Sequence, residues 1–196
     1  DWFFVSHRLP VAVEAIKQGY EVHIATTVTD KLDLLEENGL IVHNLALHRS
    51  RSGILIISEL WSLLSIIKAI NPDIVHLVTI KPVLLGGFAA RLSRVPAVVS
   101  AISGLGFIFY SNGFISFVRY KLTSLLYFLS LGHKNQKIIF QNKEDKLKLC
   151  KIRSDAYNRS ILIPGSGVDL SLYSVIENDL HPPTIMMAAR LLSSKG

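Results

Sequence analysis

Cysteine is almost absent from these 196 residues. The lone Cys150, followed by Lys151 in a stretch that reads as a helix, has no partner for an internal disulfide, which suits a reducing compartment and a structural or incidental thiol. Zinc spacing is missing too, because His23, His43, His48, His76, His133 and His181 are dispersed with no pair at helical or hairpin spacing. There is no P-loop lysine motif, no Ser-His-Asp signature and no Gly-x-Gly-x-x-Gly after a first strand. Repeats and low-complexity runs are absent. The start, Asp1-Trp2-Phe3-Phe4, lacks the basic opening of a secretory signal, and His7-Arg8 interrupts its apolar run. The longest uncharged stretch, Val95 to Val118, contains Pro96, Gly104, Gly106 and Gly113, a poor composition for a spanning helix. The expectation is a soluble or peripheral protein.

Acidic residues are in deficit, and the deficit is local. Net charge is +6, and residues 105–160 hold ten Lys/Arg against three Asp/Glu, while the rest of the chain is nearly balanced. Such a segment attracts phosphates, whether on nucleic acid, an anionic membrane or a diphosphate-bearing substrate, and charge alone leaves the three open. What the chain does have is apolar residue, 49% of it, enough for one sizeable core and too little length for two full Rossmann-like domains.

Apolar spacing predicts an opening helix over 6–18, with Leu9, Val13 and Ile16 on one stripe, Pro10 in the first turn and Gly19 as the stop. A strand over 21–26, a helix over 31–38 and a strand over 41–47 follow, then a long amphipathic helix from Gly53 to Ile70 ended by Asn71-Pro72. The alternation continues with strands at 73–79, 97–102, 137–141 and 160–163, and helices at 83–93, 115–131 and 143–152. Near-continuous apolar strands separated by helices imply an α/β fold with a doubly wound parallel sheet. Residues 177–183 read as a linker, dividing a Rossmann-like domain over 1–176 from the start of a second domain at 184–196. Neither Asp1 nor Gly196 reads as a natural terminus. The expectation is a fragment lacking its first strand and most of its second domain.

Three segments carry a resemblance. They are Ile163-Pro164-Gly165-Ser166-Gly167-Val168-Asp169 with Leu170 and Tyr173; Ala188-Ala189-Arg190-Leu191-Leu192 with Lys195-Gly196; and Trp2-Phe3-Phe4 with Ser6-His7-Arg8-Leu9-Pro10 and Gly19-Tyr20-Glu21-Val22. Gly86 and Gly104-Leu105-Gly106 add weaker support. In this order the segments resemble the family 4 glycosyltransferases of GT-B fold, specifically their acceptor-side domain. Within that family the chain is similar to bacterial enzymes that extend capsule, O-antigen or other lipid-linked surface glycans, cytoplasmic and peripheral on the inner face of the cytoplasmic membrane.

The resemblance implies a nucleotide-sugar donor as co-substrate with no cofactor and no metal, a polyprenyl-diphosphate-linked acceptor, and a retaining mechanism that uses the donor phosphate as base. Nucleic acid is not an expected partner. Arg190 and Lys195 match the family residues that contact the donor diphosphate, a role that suits an Arg fork and a Lys point charge after a strand end. The acceptor and cleft candidates are His7, Arg8, Lys81, Ser103, Gly104, Gly106, Gly165 and Gly167. His7 and Arg8 are expected at the start of the first helix, and Lys81 in a loop at the sheet's carboxyl edge. Gly165 and Gly167 read first as tight turns, with Asp169 as a cap. No catalytic base is named, because Ser103-Gly104 stands where some members of the family carry a His, and the family's Glu pair would lie beyond Gly196.

Aromatic and basic residues interleave at Phe107, Phe109, Phe114, Arg119 and Lys121, the composition of a membrane-docking segment. The competing reading is a core-facing helix, because Leu122, Leu125, Leu126 and Leu129 must pack somewhere. Rival functions are a GT-B-like sugar-nucleotide 2-epimerase, a dinucleotide-binding oxidoreductase that lacks its glycine fingerprint, and a non-catalytic truncated remnant that binds membranes.

Overall fold

The structure, a computed structural model, describes residues 1–45, 53–105, 114–172 and 185–186, without the side chains of 53, 54 and 114–116. The chain divides into two compact units, Asp1–Ser166 and Gly167–Gly196.

The first unit alternates helix and strand. Its elements are α1 (Trp2–His7), α2 (Leu9–Lys17), β1 (His23–Thr26), α3 (Leu32–Glu37), β2 (Ile41–Asn44), α4 (Gly53–Ile70) and β3 (Ile74–Val78). They continue with α5 (Ile80–Leu92), β4 (Ala97–Ile102), α6 (Phe114–Ser130), β5 (Gln136–Phe140), α7 (Lys143–Ile152) and β6 (Ser160–Leu162). Every pairing is parallel: β1 lies beside β2, and β3, β4, β5 and β6 form a four-stranded sheet in that order. The α/β class with parallel sheets is therefore as the alternation predicts, distributed over two sheets.

Two helix starts differ from expectation by more than one residue, and proline explains both. The opening helix begins at Trp2, where the Asp1 carboxylate accepts the Trp2 N–H at 2.6 Å, and it breaks at Arg8. Pro10 cannot donate to the carbonyl four residues back, so a new helix starts at Leu9 with Pro10 in its first turn. Helix α5 starts at Ile80 rather than at 83, because Pro82 occupies a first turn whose N–H groups lack intrahelical acceptors anyway. The expected strands over 21–26 and 41–47 are shorter, β1 starting at His23 and β2 ending at Asn44.

Left-handed stops end four helices, α4 among them at Asn71 (φ 50°). Gly19 (φ 89°) and Gly39 (φ 78°) let the next residue donate back to the helix, Tyr20 N–H to Ala15 and Leu40 N–H to Leu35. After α5 the same turn is made by Arg94 (φ 56°), with Val95 N–H donating to Ala90. At α7, Asn142 caps the Asp145 N–H at 2.8 Å while its amide donates back to the Asp145 carboxylate, a reciprocal cap.

Two apolar cores result. The smaller joins Ala12, Ile24, Leu35 and Leu40. The larger packs Leu63 and Ile67 of α4, Val83 and Ala89 of α5, and Tyr127 of α6 with Leu77, Val98, Ile138 and Phe140 of the sheet. Gly87 lets α5 approach α6, since a Cβ there would stand 2.8 Å from the Ser130 carbonyl oxygen. Gly87→Ala must therefore push two backbones apart, and it is expected to cost about 1–3 kcal/mol of stability, measured as a lowered urea midpoint.

Candidate functional site

Parallel pairing points the carboxyl ends of β3, β4, β5 and β6 the same way, and in open α/β sheets ligands gather at that edge. Thr79 follows β3 there. Its backbone sits at φ 73°, ψ 169°, a region almost confined to glycine and costly for a β-branched side chain. Two backbone hydrogen bonds hold it, Thr79 N–H to Ala101 (3.3 Å) and Val83 N–H to Thr79 (3.1 Å). The first also ties the end of β3 to β4.

Lys81 is therefore in the first turn of α5 rather than in a loop. Its ammonium lies 2.7 Å from one carboxylate oxygen of Glu59 and 2.6 Å from the other. Glu59 is only 1% exposed, whereas Lys81 is 33% exposed, so the carboxylate is the buried anchor and the cation reaches towards solvent. Sequence reasoning missed Glu59. It shares a helical stripe with Leu63 and Ile67, and an acid on an otherwise apolar stripe was the available signal.

Ser103 and Gly104 follow β4, the strand next to β3, which puts them beside Thr79 and the start of α5 along the edge. Gly104 has φ 146°, and a Cβ there would meet nothing within 4 Å among the described residues. Gly165 (φ 74°) follows β6, two strands further along. In the second unit Gly167 has φ 75°, and Asp169 accepts from the Ser171 N–H (2.9 Å) and hydroxyl (2.7 Å) at a short 3-10 turn, Leu170–Leu172.

Contrary to the expectation that His7 and Arg8 both sit at the start of the first helix, His7 ends α1, its ring stacked on Phe3 at 4.5 Å, and Arg8 lies between α1 and α2. His7 Nδ1 and Arg8 Nε are buried with no hydrogen-bond partner among the described residues. Burial lowers the Arg8 pKa. His76, midway along β3, reaches solvent yet is hemmed in by protein, and lost hydration together with the Arg8 charge holds its pKa below the usual histidine value.

Gly106, Phe107, Phe109, Arg190 and Lys195 lie outside the described residues, as does the Phe114 side chain. Arg119 and Lys121 are exposed on α6, with the Lys121 ammonium 5.5 Å from the centre of the Phe117 ring. Strand pairing also joins two histidines that look dispersed in sequence, His23 Nδ1 and His43 Nε2 at 2.8 Å, with Glu21 on the other His23 nitrogen at 2.7 Å. Among the described residues no group of three or more His, Cys, Asp or Glu is arranged to hold a metal, and no helix is long and apolar enough to cross a membrane.

The profile of the glycosyl transferase 4-like family matches residues 1–142. The chain belongs to this family. A comparison with curated proteins finds no match. The glycosyl transferase 4-like match spans β1 to β5, and so includes Thr79, Lys81, Ser103 and Gly104.

Two outcomes test this geometry. Lys81→Met removes the Lys81 cation from the buried Glu59 carboxylate and is expected to lower unfolding free energy by about 3 kcal/mol, most of it recovered when Glu59→Leu is added, read by chemical denaturation. Because the His76 pKa is depressed on folding, the unfolded chain takes up the extra proton. Stability is then full above the ordinary histidine pKa of about 6.5 and declines as pH falls below it, and His76→Gln is expected to flatten that decline in thermal melts.

Proposed function

We propose that this glycosyltransferase moves a sugar from a nucleotide-sugar donor to a glycan carried on polyprenyl diphosphate, in the synthesis of a bacterial surface polysaccharide such as capsule or lipopolysaccharide. The family match over residues 1–142 is the observation that carries the reading. The carboxyl edge around Lys81, Ser103 and Gly104 is then the acceptor side. It combines a carboxylate-anchored cation with a glycine backbone, which suits an acceptor with both hydroxyl groups and phosphate.

In the proposed reaction the bond between the anomeric carbon and the donor diphosphate breaks, and an acceptor hydroxyl oxygen bonds to that carbon. The hydroxyl proton passes to the departing diphosphate, with retention of configuration and no metal. Negative charge builds on the diphosphate as it leaves, and Arg190 and Lys195 are assigned to neutralise it. The enzyme would work at the inner face of the cytoplasmic membrane, where such acceptors are anchored.

Assay of the full-length protein against a panel of nucleotide sugars with a polyprenyl-diphosphate glycan tests the reading. The expected result is an acceptor heavier by one sugar with matching nucleotide release, and a loss of about 100-fold or more in kcat/KM for Arg190→Ala. Absence of transfer with every donor, or an unchanged kcat/KM in both Arg190→Ala and Lys195→Ala, refutes it.

A further inference from the structure

Helix α6 is built inside out. Its inward residues are polar or carry a hydroxyl: Thr123 is 8% exposed, and Tyr127 and Ser130 are fully buried. They meet a polar spot in the core, where the Gln136 amide donates to the Ser100 hydroxyl at 3.0 Å and to the Ser130 carbonyl at 3.4 Å. Burial and the nearby Asp145 carboxylate push the Tyr127 phenol pKa well above its usual value, which keeps the hydroxyl neutral.

The outward face is apolar. Phe117 is 56% exposed, Leu122 58% and Leu125 53%, with Val118, Leu126 and Phe128 also exposed. At about 100° per residue, Phe117, Phe128, Leu125, Val118 and Leu122 fall within an arc of about 140°, opposite Thr123, Tyr127 and Ser130. The core-facing alternative for Leu122, Leu125 and Leu126 is thereby excluded. Leu92, at the end of α5, which packs against α6, is exposed as well.

Charge selects the occupant. No acidic residue occurs between Asp73 and Glu144, whereas eight Lys or Arg do, Arg119 and Lys121 among them. Lys121 holds its ammonium 5.5 Å from the centre of the exposed Phe117 ring, a cation beside the apolar side chains of this face. Arg153 stacks on Phe128 at 4.8 Å, and Arg91 donates to the Leu129 carbonyl at 3.4 Å, so cations border the far end of the helix as well. A convex apolar strip threaded by cations fits the headgroup boundary of an anionic bilayer.

We propose that α6 seats the protein on an anionic membrane, lying in the plane of the interface with Phe117, Val118, Leu122 and Leu125 towards the acyl chains. Among the described residues no helix is long and apolar enough to cross a membrane, and in-plane seating needs no span. This docking stands on exposure and charge alone and does not depend on the sugar-transfer reading.

Flotation of the full-length protein, with no sugar donor present, tests it using phosphatidylcholine vesicles and vesicles containing one third phosphatidylglycerol. Binding to the anionic vesicles at low salt is expected. Arg119→Gln with Lys121→Gln should weaken it about 20-fold. Leu122→Glu with Leu125→Glu should abolish it while leaving the thermal midpoint unchanged, because both residues are already in solvent. Failure to float with anionic vesicles overturns the proposal, as does binding that survives Leu122→Glu/Leu125→Glu. So does a dimer that the same pair dissociates in sedimentation, which would assign the face to a second copy of the chain.

Discussion

Parallel strand pairing is the constraint on which everything else rests. A parallel ladder cannot be closed by a tight turn, so each strand must be followed by a crossover that returns the chain to the starting edge, and helices supply it. That requirement puts α3, α5, α6 and α7 between paired strands and gathers the strand ends of β3 to β6 along one rim. The strained Thr79, the anchored Lys81 and Gly104 are neighbours only for this reason.

The same constraint explains the polarity of the core. Ser100 and Gln136 lie on adjacent strands of the main sheet and are buried, so they need partners from the element packed above them. The Gln136 amide donates to the Ser100 hydroxyl and to the Ser130 backbone carbonyl of α6. Helix α6 turns Thr123, Tyr127 and Ser130 inward, and its outward leucines and phenylalanines make the apolar surface proposed for the membrane.

Much of this was legible in sequence, for definable reasons. Gly53–Ile70, Ala97–Ile102 and Lys143–Ile152 have the bounds that periodicity predicts, because caps, Asn-Pro and β-branched runs mark them clearly. Proline blurred the rest: Pro10 and Pro82 read as belonging to a single opening helix and to a loop, where the chain breaks one helix and starts another. Glu59 and the His23–His43 contact were hidden, since both depend on which residue meets which across elements far apart in sequence. The orientation of α6 was open for the same reason. Its two faces are separable by periodicity, but which one turns inward depends on the sheet beneath.

The two hydrophobic cores have no buried residue in common. Four buried side chains hold the β1–β2 lobe, far fewer than lie beneath the larger sheet. Cooperativity is therefore uneven along the chain. A core this small predicts that amide protons of the β1–β2 lobe exchange by local opening ahead of those beneath the larger sheet, where the Lys81 rim is held.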